Sequence, residues 1–112
     1  MEQRRHDRLI KEIKVSYSVL SKVDSTPFEF GEAVTVDIGS GGLSILVDER
    51  LGVPSLLQLH LHLPRRPLGL FALGKTVYCN PVEDLGMFRA GIKFVGLLPT
   101  DLEKALNEIE EG

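Results

Sequence analysis

Two arginines four residues apart stand near the start of the chain, in Arg4-Arg5-His6-Asp7-Arg8. A guanidinium is a permanent planar cation that stacks on bases and forks onto phosphates, so this spacing supplies a grip for an anionic, aromatic ligand. Further along, Asp37-Ile38-Gly39-Ser40-Gly41-Gly42 interrupts a β-like run with an acid and a cluster of glycines. That segment offers a carboxylate beside backbone that a ligand can approach closely. Together the two motifs suggest a site for an anionic, guanine-containing ligand. Each has a plainer reading when taken alone. Arginines so spaced arise often by chance, and a basic terminus is ordinarily just solvated. Gly39 to Gly42 reads equally as a hairpin turn whose glycines supply positive φ, which is the better reading for Gly41 in either case.

Other reactive residues carry less. His60 and His62 lie two apart and share a strand face, but no third or fourth ligand is evident, so the reading is a polar outer face with no metal. His6 travels with the arginines. Cys79 is read as a small core residue, since no histidine is placed by sequence to activate it. Glu83-Asp84, flanked by Pro81 and Gly86, reads as a solvated turn. There is no Walker-type phosphate loop, no zinc-protease helix and no Ser–His–Asp pattern. No catalytic residues and no cofactor are expected, and the chain is not read as an enzyme.

These residues need a scaffold, and the dominant period is two. Ile13, Val15, Tyr17 and Val19 alternate with polar neighbours in a first strand. Val34, Val36 and Ile38 give a second, with Thr35 and Asp37 on its other face. Leu43, Ile45 and Val47 give a third, and Leu57, Leu59, Leu61 and Leu63 a fourth. Pro64-Arg65-Arg66-Pro67 is read as a turn, Leu70 to Cys79 as a fifth strand, and Phe88, Ala90, Ile92 and Phe94 as a sixth. Short strands with one apolar face each, separated by turns, predict a small antiparallel barrel or sandwich. The period then changes. Thr100-Asp101-Leu102-Glu103 is a capping box, and Leu102, Ala105, Leu106 and Ile109 share one helical face. The expected organisation is one domain over residues 1–112: an arginine arm over 1–12, the barrel over 13–96 and a helix over 99–110. The helix's acidic outer face is read as a solvated surface.

Composition bounds the partners. With 43% hydrophobic and 26% charged residues, 112 residues make an ordinary globular domain with a single core. A net charge of -3 argues against a general DNA or RNA binder, so any anion site must be local. One cysteine fits a reducing compartment. Met1-Glu2-Gln3-Arg4 is not a charged-then-apolar leader, and no apolar run is long enough to span a bilayer. The expectation is a cytoplasmic protein without membrane insertion.

The Arg-x-x-x-Arg segment, the first strand, the Asp37-to-Gly42 turn between strands two and three, the Gly91-Ile92-Lys93-Phe94 strand and the terminal helix together resemble the PilZ domain family, over nearly the whole chain. The resemblance implies a six-stranded β-barrel, all-β with a C-terminal helix, that binds the bacterial second messenger cyclic di-GMP and relays the signal to a protein effector. The alternative within the family is a ligand-independent adaptor for motility, pilus or exopolysaccharide machinery. By resemblance, Arg4 and Arg8 are the motif arginines and lie on a loop that folds over the dinucleotide, with Arg5 adding phosphate contacts. Asp37 is the acid, whose carboxylate can accept both donors of guanine's Watson–Crick edge, and Gly42 is the closing glycine, where a side chain would obstruct the turn or the ligand. One departure stands out: the family's serine falls at Gly39. Either Ser40 or the turn's amides replace the missing hydroxyl, or binding weakens by about 1.5–3 kcal/mol, roughly ten- to a hundredfold.

Overall fold

The alternating runs become strands in the computed structural model, which describes residues 11–20, 31–63 and 65–96 together with Lys104, Leu106 and Asn107. Six strands form: β1 (Lys14–Val19), β2 (Gly31–Ile38), β3 (Gly42–Val47), β4 (Leu56–Leu63), β5 (Arg66–Val82) and β6 (Met87–Gly96). All pairings are antiparallel, and the sheet closes into a barrel in the order β1-β2-β3-β6-β5-β4. Closure leaves none of these six strands at an open edge.

Inward positions follow the period of two. Val15 and Tyr17, Leu43, Ile45 and Val47, Leu57, Leu59 and Leu61, and Ala90 and Ile92 are all buried in one cluster. Leu106 joins that cluster with no exposed surface, and Lys104, Leu106 and Asn107 are helical. The remainder of the expected 99–110 helix, including the capping box, lies outside the described residues. Cys79 is buried in the same core, where its sulfur accepts the Leu51 amide at 3.4 Å, in keeping with its reading as a packing residue.

The second strand departs from the expected alternation. Thr35, not Val34 or Val36, faces inward, and the next buried residue is Ile38. A bulge between Thr35 and Asp37 shifts the register against β3. One extra residue flips the pattern, so the face on which Asp37 lies cannot be counted from Val34. Burying Thr35 is offset because its hydroxyl is fully used. Its Oγ1 accepts the Ile13 amide at 2.9 Å and donates to the Lys11 carbonyl, while its own amide donates to the Ile13 carbonyl at 2.9 Å. These bonds pin the chain segment leading into β1 onto β2. Thr76 does the same on the other side: it accepts the Ser55 amide and donates to the Gly52 carbonyl, both at 2.7 Å.

The Pro64-to-Pro67 turn is shorter than expected. Arg66 already pairs with Leu63, and Pro67 is the exposed second residue of β5, where a missing amide is tolerated. β5 runs for 17 residues, beyond the Leu70-to-Cys79 stretch, and ends in an exposed turn that carries Glu83 and Asp84 and closes at Gly86, φ 65°.

One core group is not satisfied. Tyr17 is 2% exposed, and its hydroxyl has no hydrogen-bond partner. Burial, reinforced by Glu49, Asp48 and Cys79, pushes its pKa up to about 12.

Candidate functional site on the β2–β3–β6 wall

Asp37 sits two residues after Thr35, just past the bulge, at the end of β2. Its register partner on β3 is Ser44, and Ser44 pairs in turn with Gly91 on β6. Three strands therefore bring polar groups to one patch of the outer wall. The Ser44 hydroxyl donates to Asp37 Oδ1 at 2.9 Å. Arg89, two residues before Gly91, sends Nη2 to Asp37 Oδ2 at 3.3 Å and to Ser44 Oγ at 3.2 Å. The Asp37 side chain is 16% exposed and that of Arg89 42%. An ion pair so open to water and so long contributes little to stability, on the order of 0–1 kcal/mol. Arg89 also uses its fork incompletely, because its Nε is buried and has no partner. Beside this triangle the Tyr78 ring lies over Gly91. A Cβ on Gly91 would come within 2.1 Å of it.

The turn between β2 and β3 is tight. Gly39 donates its amide to the Gly42 carbonyl at 2.8 Å, and the Gly41 carbonyl accepts the Phe94 amide at 2.9 Å, which ties the turn to β6. Among the described residues positive φ occurs only at Gly69 and Gly86. The expectation that this glycine cluster serves a positive-φ hairpin is thus corrected. Gly41 has open space around its Cα and no left-handed backbone, whereas Gly42 is needed for contact: a Cβ there would sit 2.0 Å from the Ile92 carbonyl oxygen. The side chain excluded at Gly42 would strike β6, which answers what it would obstruct. Ser40 is exposed at the tip and Gly39 is buried.

Of the residues singled out from sequence, Asp37, Gly39, Ser40 and Gly42 are brought together at this hairpin. Arg4, Arg5 and Arg8, with His6, lie outside the described residues. Two residues of the patch escaped the sequence reading, Ser44 and Arg89. Both are polar residues at outward positions of strands whose other residues are mostly apolar. Their meeting with Asp37 depends on two strand registers and a bulge. His60 and His62 lie elsewhere, on the outer face of β4. Among the described residues no group of three or more His, Cys, Asp or Glu could hold a metal ion, and no helix is long and apolar enough to cross a membrane.

Comparison with known proteins gives a consistent result. The family model for the PilZ domain matches residues 2–111. The structure of Bacillus subtilis inhibitor of motility (MotI/DgrA) superposes with a TM-score of 0.72 at 12% identity, over 99% of this chain and 51% of that one. The chain thus spans about half the length of that protein. The crystal structure of the PilZ domain of CeSA, from a cellulose-synthesizing bacterium, superposes with a TM-score of 0.62 at 13% identity, over 93% of this chain and 95% of that one. At such identities the two structures speak for the fold alone. No curated protein matches the chain.

Proposed function

The chain belongs to the PilZ domain family, a family of cyclic di-GMP receptors, and from that premise we propose that it binds cyclic di-GMP on the β2–β3–β6 wall. What carries this reading is the placement of Asp37: a partly buried carboxylate at the end of β2 on the outer wall, positioned there by Ser44 Oγ and Arg89 Nη2. Guanine presents two adjacent donors on its Watson–Crick edge, and a carboxylate accepts both. Adenine presents a donor next to an acceptor and cannot repeat the contact. Arg89, whose side chain is 42% exposed, can turn its guanidinium from Asp37 to an acceptor of the ligand.

Chain geometry agrees with a role for the arginine arm. Lys11 and Ile13 are bonded to Thr35, which is two residues from Asp37. Arg8 is three residues before Lys11, so a fully extended chain keeps its Cα within about 11 Å of the Lys11 Cα. Arg4, Arg5 and Arg8 precede this anchored segment in sequence, within chain reach of the wall that carries Asp37. Binding would order the arm over the ligand and present a changed surface to a protein effector. This is binding chemistry, in keeping with a family of binding and adaptor domains. Gly39, which lacks the family's serine hydroxyl, favours the second reading, an adaptor whose partner docks without the nucleotide.

The mapping test is a ¹⁵N–¹H titration of the chain with cyclic di-GMP. The reading expects saturable shifts at the amides of Asp37 to Leu46 and of Arg89 to Gly91. Saturable shifts confined to another wall, or none at all, would overturn it.

A further inference from the structure

The wall formed by β1, β4 and β5 carries a different set of groups. Glu32 on β2 is in register with Ser16 on β1, Ser16 with His60 on β4, and His60 with Phe71 on β5. Residues in register project from the same face of a sheet, so these four form one row across the barrel's outside. With Gln58 and Leu59 they line a cavity of about 270 Å³. The His60 ring lies flat on Phe71, with centroids 4.2 Å and planes 6° apart. Its Nε2 is 2.8 Å from the Leu68 carbonyl, which can only accept, so that nitrogen is the donor and fixes the ring's orientation. His62, 4.4 Å from His60, is bonded to Ser16 Oγ at 2.9 Å and fixes the hydroxyl.

The cavity is thus rich in acceptors. It has the Glu32 carboxylate and the Gln58 amide oxygen around an aromatic floor, and among the described residues no lysine or arginine lines it. Glu32 has no ion-pair partner among the described residues. Beside the cavity, Phe71 is 55% and Leu68 80% exposed, and Leu73 adds a further exposed apolar side chain. Such a surface repels an anion and suits a planar cation. The volume lies just below the roughly 300–1,000 Å³ of small-molecule pockets and is of a size for one side chain.

We propose that this cavity is a docking site for a protein partner that inserts an arginine side chain, stacked on the Phe71–His60 pair and forked onto Glu32, with apolar neighbours covering Leu68 and Leu73. Arginine is selected over lysine because its guanidinium is planar, weakly hydrated and stacks on aromatic faces. The site shares no residue with the Asp37 patch and does not depend on nucleotide binding.

The test is a ¹⁵N–¹H titration of the chain with N-acetyl-arginine amide, beside the lysine and citrulline amides. Expected are saturable millimolar shifts at Ser16, Glu32, Gln58, His60 and Phe71 with the arginine compound, and much weaker ones with the others. Glu32→Gln and Phe71→Ala each lower the affinity about two- to fivefold. Both residues are exposed, so unchanged thermal unfolding verifies that the variants fold. No saturable shift, equal response to citrulline, shifts elsewhere, or indifference to both variants would overturn the proposal. So would sedimentation showing a dimer that N-acetyl-arginine amide dissolves, since the occupant would then be a second copy of this chain.

Discussion

Gly41 and Gly42 are chemically identical neighbours in the same turn, and the structure assigns them opposite tolerance. A methyl at Gly42 would lie 2.0 Å from the Ile92 carbonyl oxygen, 3.0 Å from the Ile92 carbonyl carbon and 3.1 Å from the Lys93 Cα, all backbone atoms of β6. Van der Waals contact needs more than 1 Å of additional separation, and backbone inside a closed barrel cannot swing aside as a side chain could. The strands must part where Gly42 pairs with Lys93, which also strains the Gly39–Gly42 and Gly41–Phe94 hydrogen bonds. Overpacking costs about 1–3 kcal/mol, and two weakened backbone bonds add about 0.5–1.5 kcal/mol each, so Gly42→Ala should destabilise by about 3 kcal/mol. In a domain of this size that lowers Tm by roughly 10–20 °C. Gly41→Ala meets nothing within 4 Å and has no positive φ, so it should stay within about 0.5 kcal/mol of the parent. Urea denaturation followed by circular dichroism measures both. Equal effects at the two positions, or a Gly42→Ala loss below about 1 kcal/mol, would refute the claim that Gly42 exists to let β3 approach β6.

Three further outcomes follow from the same geometry. Tyr17→Phe removes a buried hydroxyl without a partner and should be neutral or stabilising by up to about 1–3 kcal/mol in denaturant melts at neutral pH; clear destabilisation would mean the hydroxyl is bonded after all. The Tyr17 pKa rises from 10.0 to about 12 on folding, so the folded state holds the proton longer than the unfolded one. Its contribution is complete below pH 10 and is lost between pH 10 and about 12, and Tyr17→Phe should flatten that part of the stability profile by at most about 2–3 kcal/mol. Arg89→Ala removes a long, water-exposed ion pair and should change ligand-free stability by less than about 1 kcal/mol, whereas a larger loss would make Arg89 a structural staple.

The barrel was legible because most of its strands carry an apolar residue at every second position, side chains that only a closed interior can bury; β5 keeps that period from Leu70 to Thr76 and loses it at the bulge between Thr76 and Tyr78. Leu57, Leu59, Leu61 and Leu63 are the plainest case, and each lies inward as expected. β2 resisted the same reading, because a bulge is a property of the pairing with β3. Nothing in Val34-Thr35-Val36-Asp37 shows that threonine will turn inward to hold the strand before it. The prolines around Arg65 and Arg66 mark a turn correctly but overstate its length, since the second residue of a strand can forgo its amide. Asp37 was identifiable from its place beside the glycines, yet its partners were not. Ser44 and Arg89 reach it only through the β2–β3 and β3–β6 registers, and residues 7 and 52 positions away in sequence carry no local sign of that meeting. Gly42 was marked as special for a turn or a ligand, and the actual reason, the backbone of β6, is a tertiary contact.

The most direct measurement of the central claim is isothermal titration of the chain with cyclic di-GMP, beside cyclic di-AMP, for the parent, Asp37→Asn and Arg4→Ala/Arg8→Ala. The account predicts binding of cyclic di-GMP but not of cyclic di-AMP. Asp37→Asn should weaken it by roughly ten- to a hundredfold, because an amide donor faces a guanine donor, and loss of both arginines should abolish it. No heat and no thermal shift for the parent, or parent-like affinity in Asp37→Asn, would contradict the assignment of the β2–β3–β6 wall as a dinucleotide site.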